Sequence, residues 1–200
     1  MNENDPRVIK TKENIVNQFI ECLKEYSFQD ITVKMLIERC RINRSTFYRN
    51  YEDKYDLLDK LLSNLLDELK ECSDDRFITM RYRNAKEYHP YLYNLVLYFK
   101  KNRNYLLVLW SAALPVNFYT QMMQLMSARL ADTIKSYYTI QPDNAHLVSL
   151  YSDLFAAITL STMHWWLTEA EFLSCDEIIE IMTSNIEKGL FRSMEDIYLN

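Results

Sequence analysis

The run TVKMLIERCRINRSTFYRNYEDK, residues 32–54, holds two short helical patterns separated by three residues. Over 33–40 the apolar residues Val33, Leu36, Ile37 and Cys40 fall on one side of a helix, and Thr32 stands where an N-cap is needed. Arg41-Ile42-Asn43 then separates this segment from a third helix over 44–51, with Asn43 placed to cap it. At about 100° per residue, Phe47 and Tyr51 share the buried side of that helix. Ser45, Thr46 and Arg49 face away, with Tyr48 and Asn50 on the flanks and Arg44 in the first turn. Two short helices around a tight turn, the second with a polar and basic outer face, form a helix-turn-helix pattern. Outward side chains of these types can donate to phosphates, and an arginine there can pair bidentately with guanine. A plain three-helix core with a solvated polar face fits the same pattern.

Upstream, Ile15, Phe19, Leu23 and Tyr26 recur at helical spacing and predict a preceding helix that ends near Ser27–Asp30. Downstream, Glu52 and Asp53 open a fourth helix to about Lys70, lined by Leu57, Leu58, Leu61, Leu62, Leu65, Leu66 and Leu69. A polar, basic connector (72–89) follows. Helices are then expected at about 90–101, 103–113 and 115–138, with Pro90 and Pro115 as first-turn residues. The break Gln141-Pro142-Asp143 precedes a long apolar helix over 144–168. Ser174-x-x-Glu177 is a capping-box signal for a last helix over 175–193.

The composition agrees with an all-helical chain. One glycine and four prolines in 200 residues leave too few turn residues for a sandwich, a barrel or a nucleotide-binding sheet, and none for a phosphate-cradling glycine loop. The net charge of −5 hides an asymmetry: residues 32–51 carry Lys34, Arg39, Arg41, Arg44 and Arg49 against Glu38 alone. The four cysteines form no C-x-x-C pair and read as reduced, buried thiols. The first residues, MNENDPR, carry no secretion segment, and 105–119 and 154–167 fall short of the roughly 20 apolar residues of a membrane span. A cytoplasmic protein without membrane association is expected.

Residues 11–58 resemble the DNA-binding domain of the TetR family of transcriptional regulators. Thr32-Val33, Ile37, Thr46-Phe47-Tyr48, Tyr51, Lys54 and Leu57-Leu58 carry the resemblance. Two family glycines are replaced, by Ser27 after the first helix and Arg41 after the second, and a positive φ at Arg41 costs roughly 1 kcal/mol. The resemblance implies base or backbone contacts by Lys34, Arg44, Ser45 and Tyr48. It also implies phosphate contacts by Thr32 and Lys54 at two helix starts. Together with the outward Thr46, Arg49 and Asn50, these make the candidate DNA-binding set. The run Trp165-Trp166-Leu167-Thr168-Glu169 before Ser174 is similar to one subgroup of the family, and it names no ligand.

The expected architecture is all-α, with about nine helices. A helix-turn-helix DNA-binding domain spans 8–56 (helix-turn-helix about 33–52), and an effector-binding and dimerisation domain spans 57–200. The expected partners are a palindrome-like double-stranded DNA operator and a second copy. The second copy pairs through helices 144–168 and 175–193, where Ile178, Ile179, Ile181 and Met182, with Leu154, Phe155, Ile158 and Leu160, exceed what one packing side buries. A small apolar or aromatic effector is expected in a cavity lined by some of Tyr98, Phe99, Trp110, Phe118, Met122, Met126, Tyr151, Phe155 and Trp165. Ordinary core packing explains the same residues.

No cofactor, metal or catalytic role is expected. His146 and His164 lie five helical turns apart, about 27 Å, and cannot share an ion with each other. No glycine-built nucleophile elbow is present. The basic group Arg76, Arg81, Arg83, Lys86, Lys100, Lys101 and Arg103 reads as a solvated region or as an anion contact. The function expected is a homodimeric, ligand-responsive transcriptional repressor. The rival is a helical interaction protein that has lost DNA binding and works through a protein partner; Arg44, Tyr48 and Lys54 favour the first.

Overall fold

Asp5 and Pro6 start the first helix nine residues before its apolar stripe begins at Ile15. The Asp5 carboxylate accepts from the backbone N–H of Arg7, and Pro6 occupies a first-turn position that needs no donor. The computed structural model describes residues 5–73 and 85–189. Among them are α1 (Pro6–Glu25), α2 (Val33–Cys40), α3 (Arg44–Asn50), α4 (Lys54–Cys72), α5 (Ala85–Lys101), α6 (Arg103–Ser111), α7 (Phe118–Tyr137), α8 (Ala145–Glu169) and α9 (Cys175–Lys188), with no strand. The expected all-α class is what the chain adopts.

The chain divides into two compact units. The first comprises residues 1–66 and 104–118, the second 67–103 and 119–200. In the first unit, Ile15, Phe19, Phe28, Ile31, Leu36, Phe47 and Leu57 are almost wholly buried and form its core. Phe19 and Phe28 meet edge to face with centroids 6.2 Å apart. Tyr26, expected on the buried stripe of α1, instead ends that helix and is exposed. Its N–H still returns to the Cys22 carbonyl, but an extended backbone at Tyr26 turns the ring out under the Arg39 guanidinium.

Two local devices tie α1 to α2. Arg39 forms an ion pair with Glu25, whose carboxyl the guanidinium hydrogen bond holds below the usual range. Asn14 Nδ2 donates to the Cys40 carbonyl at 3.0 Å. The chain then reverses at Arg41, whose φ of 54° and ψ of 43° place it in the left-handed region. The Ile42 N–H reaches the Ile37 carbonyl across this turn, as in a Schellman closure. The strain expected at a non-glycine residue is therefore present. Arg41→Gly should raise unfolding free energy by about 0.5–1 kcal/mol, because relief of the Cβ clash exceeds the added unfolded-state entropy. Urea unfolding at neutral pH measures it.

In the second unit, α9 begins with the capping box that Ser174 and Glu177 promise. The Ser174 hydroxyl accepts from the Glu177 N–H, and the Glu177 carboxylate accepts from the Ser174 N–H at 2.7 Å. Helix α9 packs chiefly against α5, and this absorbs the apolar surplus of α9: Ile178, Ile179 and Met182 are buried within the unit. They were expected to meet a second copy and do not face outward. Leu160 is buried as well. On α8 the outward apolar residues are Leu150 (49% exposed), Tyr151 (60%), Leu154 (47%), Ile158 (47%) and Trp165 (43%). Two boundaries also shift. Helix α5 runs through Pro90 rather than starting at it, and α7 starts at Phe118, three residues past Pro115. The expected last-helix residues 190–193 lie outside the described residues.

Candidate nucleic-acid interface

Thr32 does as its position demands: its hydroxyl accepts from the Met35 N–H at 3.2 Å and starts α2. Asn43 holds the corresponding place before α3 without a side-chain cap, so α3 starts on backbone bonds alone, the Thr46 N–H reaching the Asn43 carbonyl at 2.9 Å. Phe47 is fully buried and Tyr51 nearly so, and these two anchor the inner side of α3. Burial and the nearby Asp56 carboxylate push the Tyr51 hydroxyl up to about 12, so it stays a donor at neutral pH.

That anchoring sets the outer side. Arg44, Ser45, Tyr48 and Arg49 are exposed, and Thr46 and Asn50 are half-buried. The Arg44 guanidinium lies 5.4 Å above the Tyr48 ring, which steers a long flexible side chain without using its fork of donors. Asn50 turns back to the Thr46 carbonyl at 2.8 Å. Thr32 and Lys34, at the start of α2, are exposed on the same unit. Lys34 sits 3.9 Å from Glu38 in a loose pair with both side chains mostly in water. The face therefore presents two planar arginine forks, hydroxyls and a lysine, groups able to donate to base edges and phosphates.

Lys54 is committed elsewhere. Its ammonium donates to the carbonyls of Phe28 (2.9 Å), Gln29 (2.8 Å) and Ile31 (2.8 Å) and lies over the Phe28 ring. An ammonium has three donors, and all three are used. Lys54 thus ties the start of α4 to the loop that leads into α2. The start of α4 is capped by Asp53, whose carboxylate accepts from the N–H groups of Tyr55 and Asp56.

On the same unit a cleft of about 470 Å³ opens between α1, the end of α3 and α4. Lys12, Arg49, Asn50, Tyr51, Lys60 and Asn64 line it, with no carboxylate among the lining residues. The sequence reading passed over Lys12 and Lys60, because neither belongs to the helix-turn-helix run.

The residues expected around an effector are distributed over both units. Trp110 and Phe118 belong to the first unit, the other seven to the second. Phe99, Met122 and Met126 are buried with Tyr98, while Tyr151 and Trp165 are exposed on α8. Tyr98 lines an open groove of about 820 Å³ between α4 and α5, whose walls carry Glu68, Glu71, Lys100 and Lys101. Phe155 lines a separate, mostly apolar pocket of about 180 Å³ between α8 and α9.

The thiols are free. Cys22 and Cys40 are buried, whereas Cys72 and Cys175 are only half-buried. Burial pushes the Cys40 thiol up to about 11 and that of Cys72 to about 12, so neither is a nucleophile at neutral pH. Among the described residues no three His, Cys, Asp or Glu side chains gather as a metal set, and no helix is long and apolar enough to cross a membrane. Of the basic group near the connector, Arg76, Arg81, Arg83 and the Lys86 side chain lie outside the described residues. Lys101 pairs with Glu68 and Arg103 with Glu171.

The architecture is all-helical, with a helix-turn-helix and its outward polar face in the first three helices and a larger helical unit beside them in sequence. It is the fold of the TetR-family regulators. A TetR-family transcriptional regulator from Syntrophomonas wolfei str. Goettingen superposes with a TM-score of 0.61 at 16% identity, over 90% of this chain and 96% of that one. A TetR transcriptional regulator from Streptococcus agalactiae 2603V gives 0.57 at 24% identity, over 90% and 96%. The dihydroxyacetone kinase operon activator DhaS gives 0.55 at 17% identity, over 87% and 92%. No protein-family model matches the sequence, and no curated protein does.

Proposed function

We propose that this chain is a homodimeric, ligand-responsive transcriptional regulator of the TetR family that binds a palindrome-like DNA operator as a repressor. The observation that carries the reading is the outer side of α3. Buried Phe47 and Tyr51 fix that helix, Arg44, Ser45, Tyr48 and Arg49 are exposed on it, and Glu38 is the one acid in the sequence of residues 32–51. The fold shared with TetR-family regulators supports it, and so does the uncovered apolar face of α8, a surface suited to a second copy. An effector is assigned to the groove lined by Tyr98. Leu97, Cys72 and Tyr98 line it beside a Glu68–Lys101 pair, a mostly apolar setting that suits the small apolar or aromatic molecule that composition suggests.

Selection from a random duplex library tests the DNA reading: enrichment of an inverted repeat is expected, with half-sites about one helical turn apart or a multiple of it. Arg44→Ala should weaken binding to the selected duplex by about 1–3 kcal/mol and relax preference at one base position in each half-site. An unenriched library sinks the reading. The operator placed before a reporter gives the sign of regulation, with reduced expression expected for a repressor.

A further inference from the structure

The cleft bounded by Lys12, Arg49 and Lys60 is a cationic site that the recognition helix does not account for. Lys12 comes from α1 and is half-buried against the cleft wall; it makes no ion pair among the described residues. Lys60 comes from the second turn of α4 and spends two of its three donors, one on the Asp56 carboxylate at 2.8 Å and one on the Asn50 carbonyl at 3.2 Å. These two bonds hold the ammonium at the cleft edge with one donor still to place. Arg49 and Asn50 form the wall shared with α3. Asn64 and the donor hydroxyl of Tyr51 add neutral polar groups. Three cations converge on about 470 Å³ with no carboxylate among the lining residues, a volume roomier than a bare phosphate needs.

From this geometry we infer that the cleft binds a phosphodiester with its sugar, supplied by DNA backbone lying beyond the bases that α3 reads. The inference rests on the DNA-binding reading. It extends the footprint outward, because Arg49 and Asn50 lie at the C-terminal end of α3 while the base-reading Arg44 and Ser45 lie at its start. Continuity of the cleft with the exposed face of α3 favours a strand over a free anion. A strand that leaves the major groove along α3 meets Arg49 first and Lys12 and Lys60 after it.

The test compares two lengths of a duplex obtained by random-library selection: the inverted repeat alone, and the repeat extended by about half a helical turn on each side. The full chain should bind the longer duplex more tightly, with a salt slope steeper by about one unit per engaged cation in each subunit. Lys12→Gln combined with Lys60→Gln should erase that gain, and Lys12→Arg should keep it. If Lys60→Gln lowers the melting temperature, Lys12→Gln alone carries the comparison.

Equal affinity for the two lengths, or a full gain in the double variant, overturns the inference. Inorganic phosphate supplies the other arm. Thermal stabilisation by phosphate that the double variant loses, without a length effect on DNA, assigns the cleft to a free anion and overturns the strand assignment. Loss of affinity for the short duplex in Arg44→Ala, with no length effect, sinks the cleft inference while sparing the operator reading. A library with no enriched site sinks both.

Discussion

Replacing Lys54 with methionine is expected to lower the free energy of unfolding by roughly 2–4 kcal/mol, an effect on folding that a phosphate-contacting lysine would not have. The ammonium gathers the carbonyls of Phe28, Gln29 and Ile31 around one point. Hydrogen bonds to a charged donor contribute more than neutral ones, and the Phe28 and Ile31 carbonyls are partly shielded from the water that would replace it. Methionine keeps the apolar stem over the Phe28 ring, so the loss is that of the charge and its donors, not of packing. Urea unfolding gives the stability change, and DNA titration at several salt concentrations gives the second half of the prediction. Because the donors are already used within the fold, the salt slope of the folded fraction should stay within about half a unit of the parent value. A stability change near zero with a slope reduced by about one unit would return Lys54 to the phosphate backbone.

Lys54 also shows where sequence reasoning reaches its limit. Much of what neighbours within a turn or two set was legible, namely Thr32 as a cap, the Ser174–Glu177 box, and the burial of Phe47 with Tyr51, though the Asn43 cap and the burial of Tyr26 were not realised. The left-handed Arg41 was legible through the family resemblance, because Arg41 stands where that family has a glycine. The fold class followed from one glycine and from apolar spacing. The rest depended on which element lies against which. The partners of Lys54 are 23 to 26 residues upstream, and no local pattern points to them. The cleft cations come from α1 and α4, on opposite sides of the helix-turn-helix run, and meet only once the unit has folded. Likewise, an apolar residue on α9 has the same periodicity whether α5 or a second copy covers it. Composition gave aromatic residues in plenty, but not that Tyr151 and Trp165 point outward while Tyr98 and Phe99 point inward.

Ile158→Glu is expected to convert a dimer into monomers, raising the dimer dissociation constant by at least about 100-fold and weakening binding to an inverted repeat in step. The argument starts from spacing. Leu150, Tyr151, Leu154, Ile158 and Trp165 fall on one stripe of α8, and each keeps roughly half its surface exposed. A two-fold pairing is self-complementary, so one such stripe covers its own copy, and every substitution is made twice. Two buried, unpaired carboxylates then cost several kcal/mol, which accounts for the 100-fold floor at about 1.4 kcal/mol per factor of ten. Ile158 also borders the apolar pocket shared with Phe155, Met182 and Ile186, so a charge there spoils the α9 side of the patch too. Ile178→Glu is the informative contrast. That side chain is fully buried inside the unit, so its replacement should unfold the second unit instead of releasing folded monomers. Sedimentation at micromolar concentration with circular dichroism separates the two outcomes. A parent chain that sediments as a monomer overturns the dimer, and an Ile158→Glu variant that stays dimeric and folded places the contact between copies on some other face.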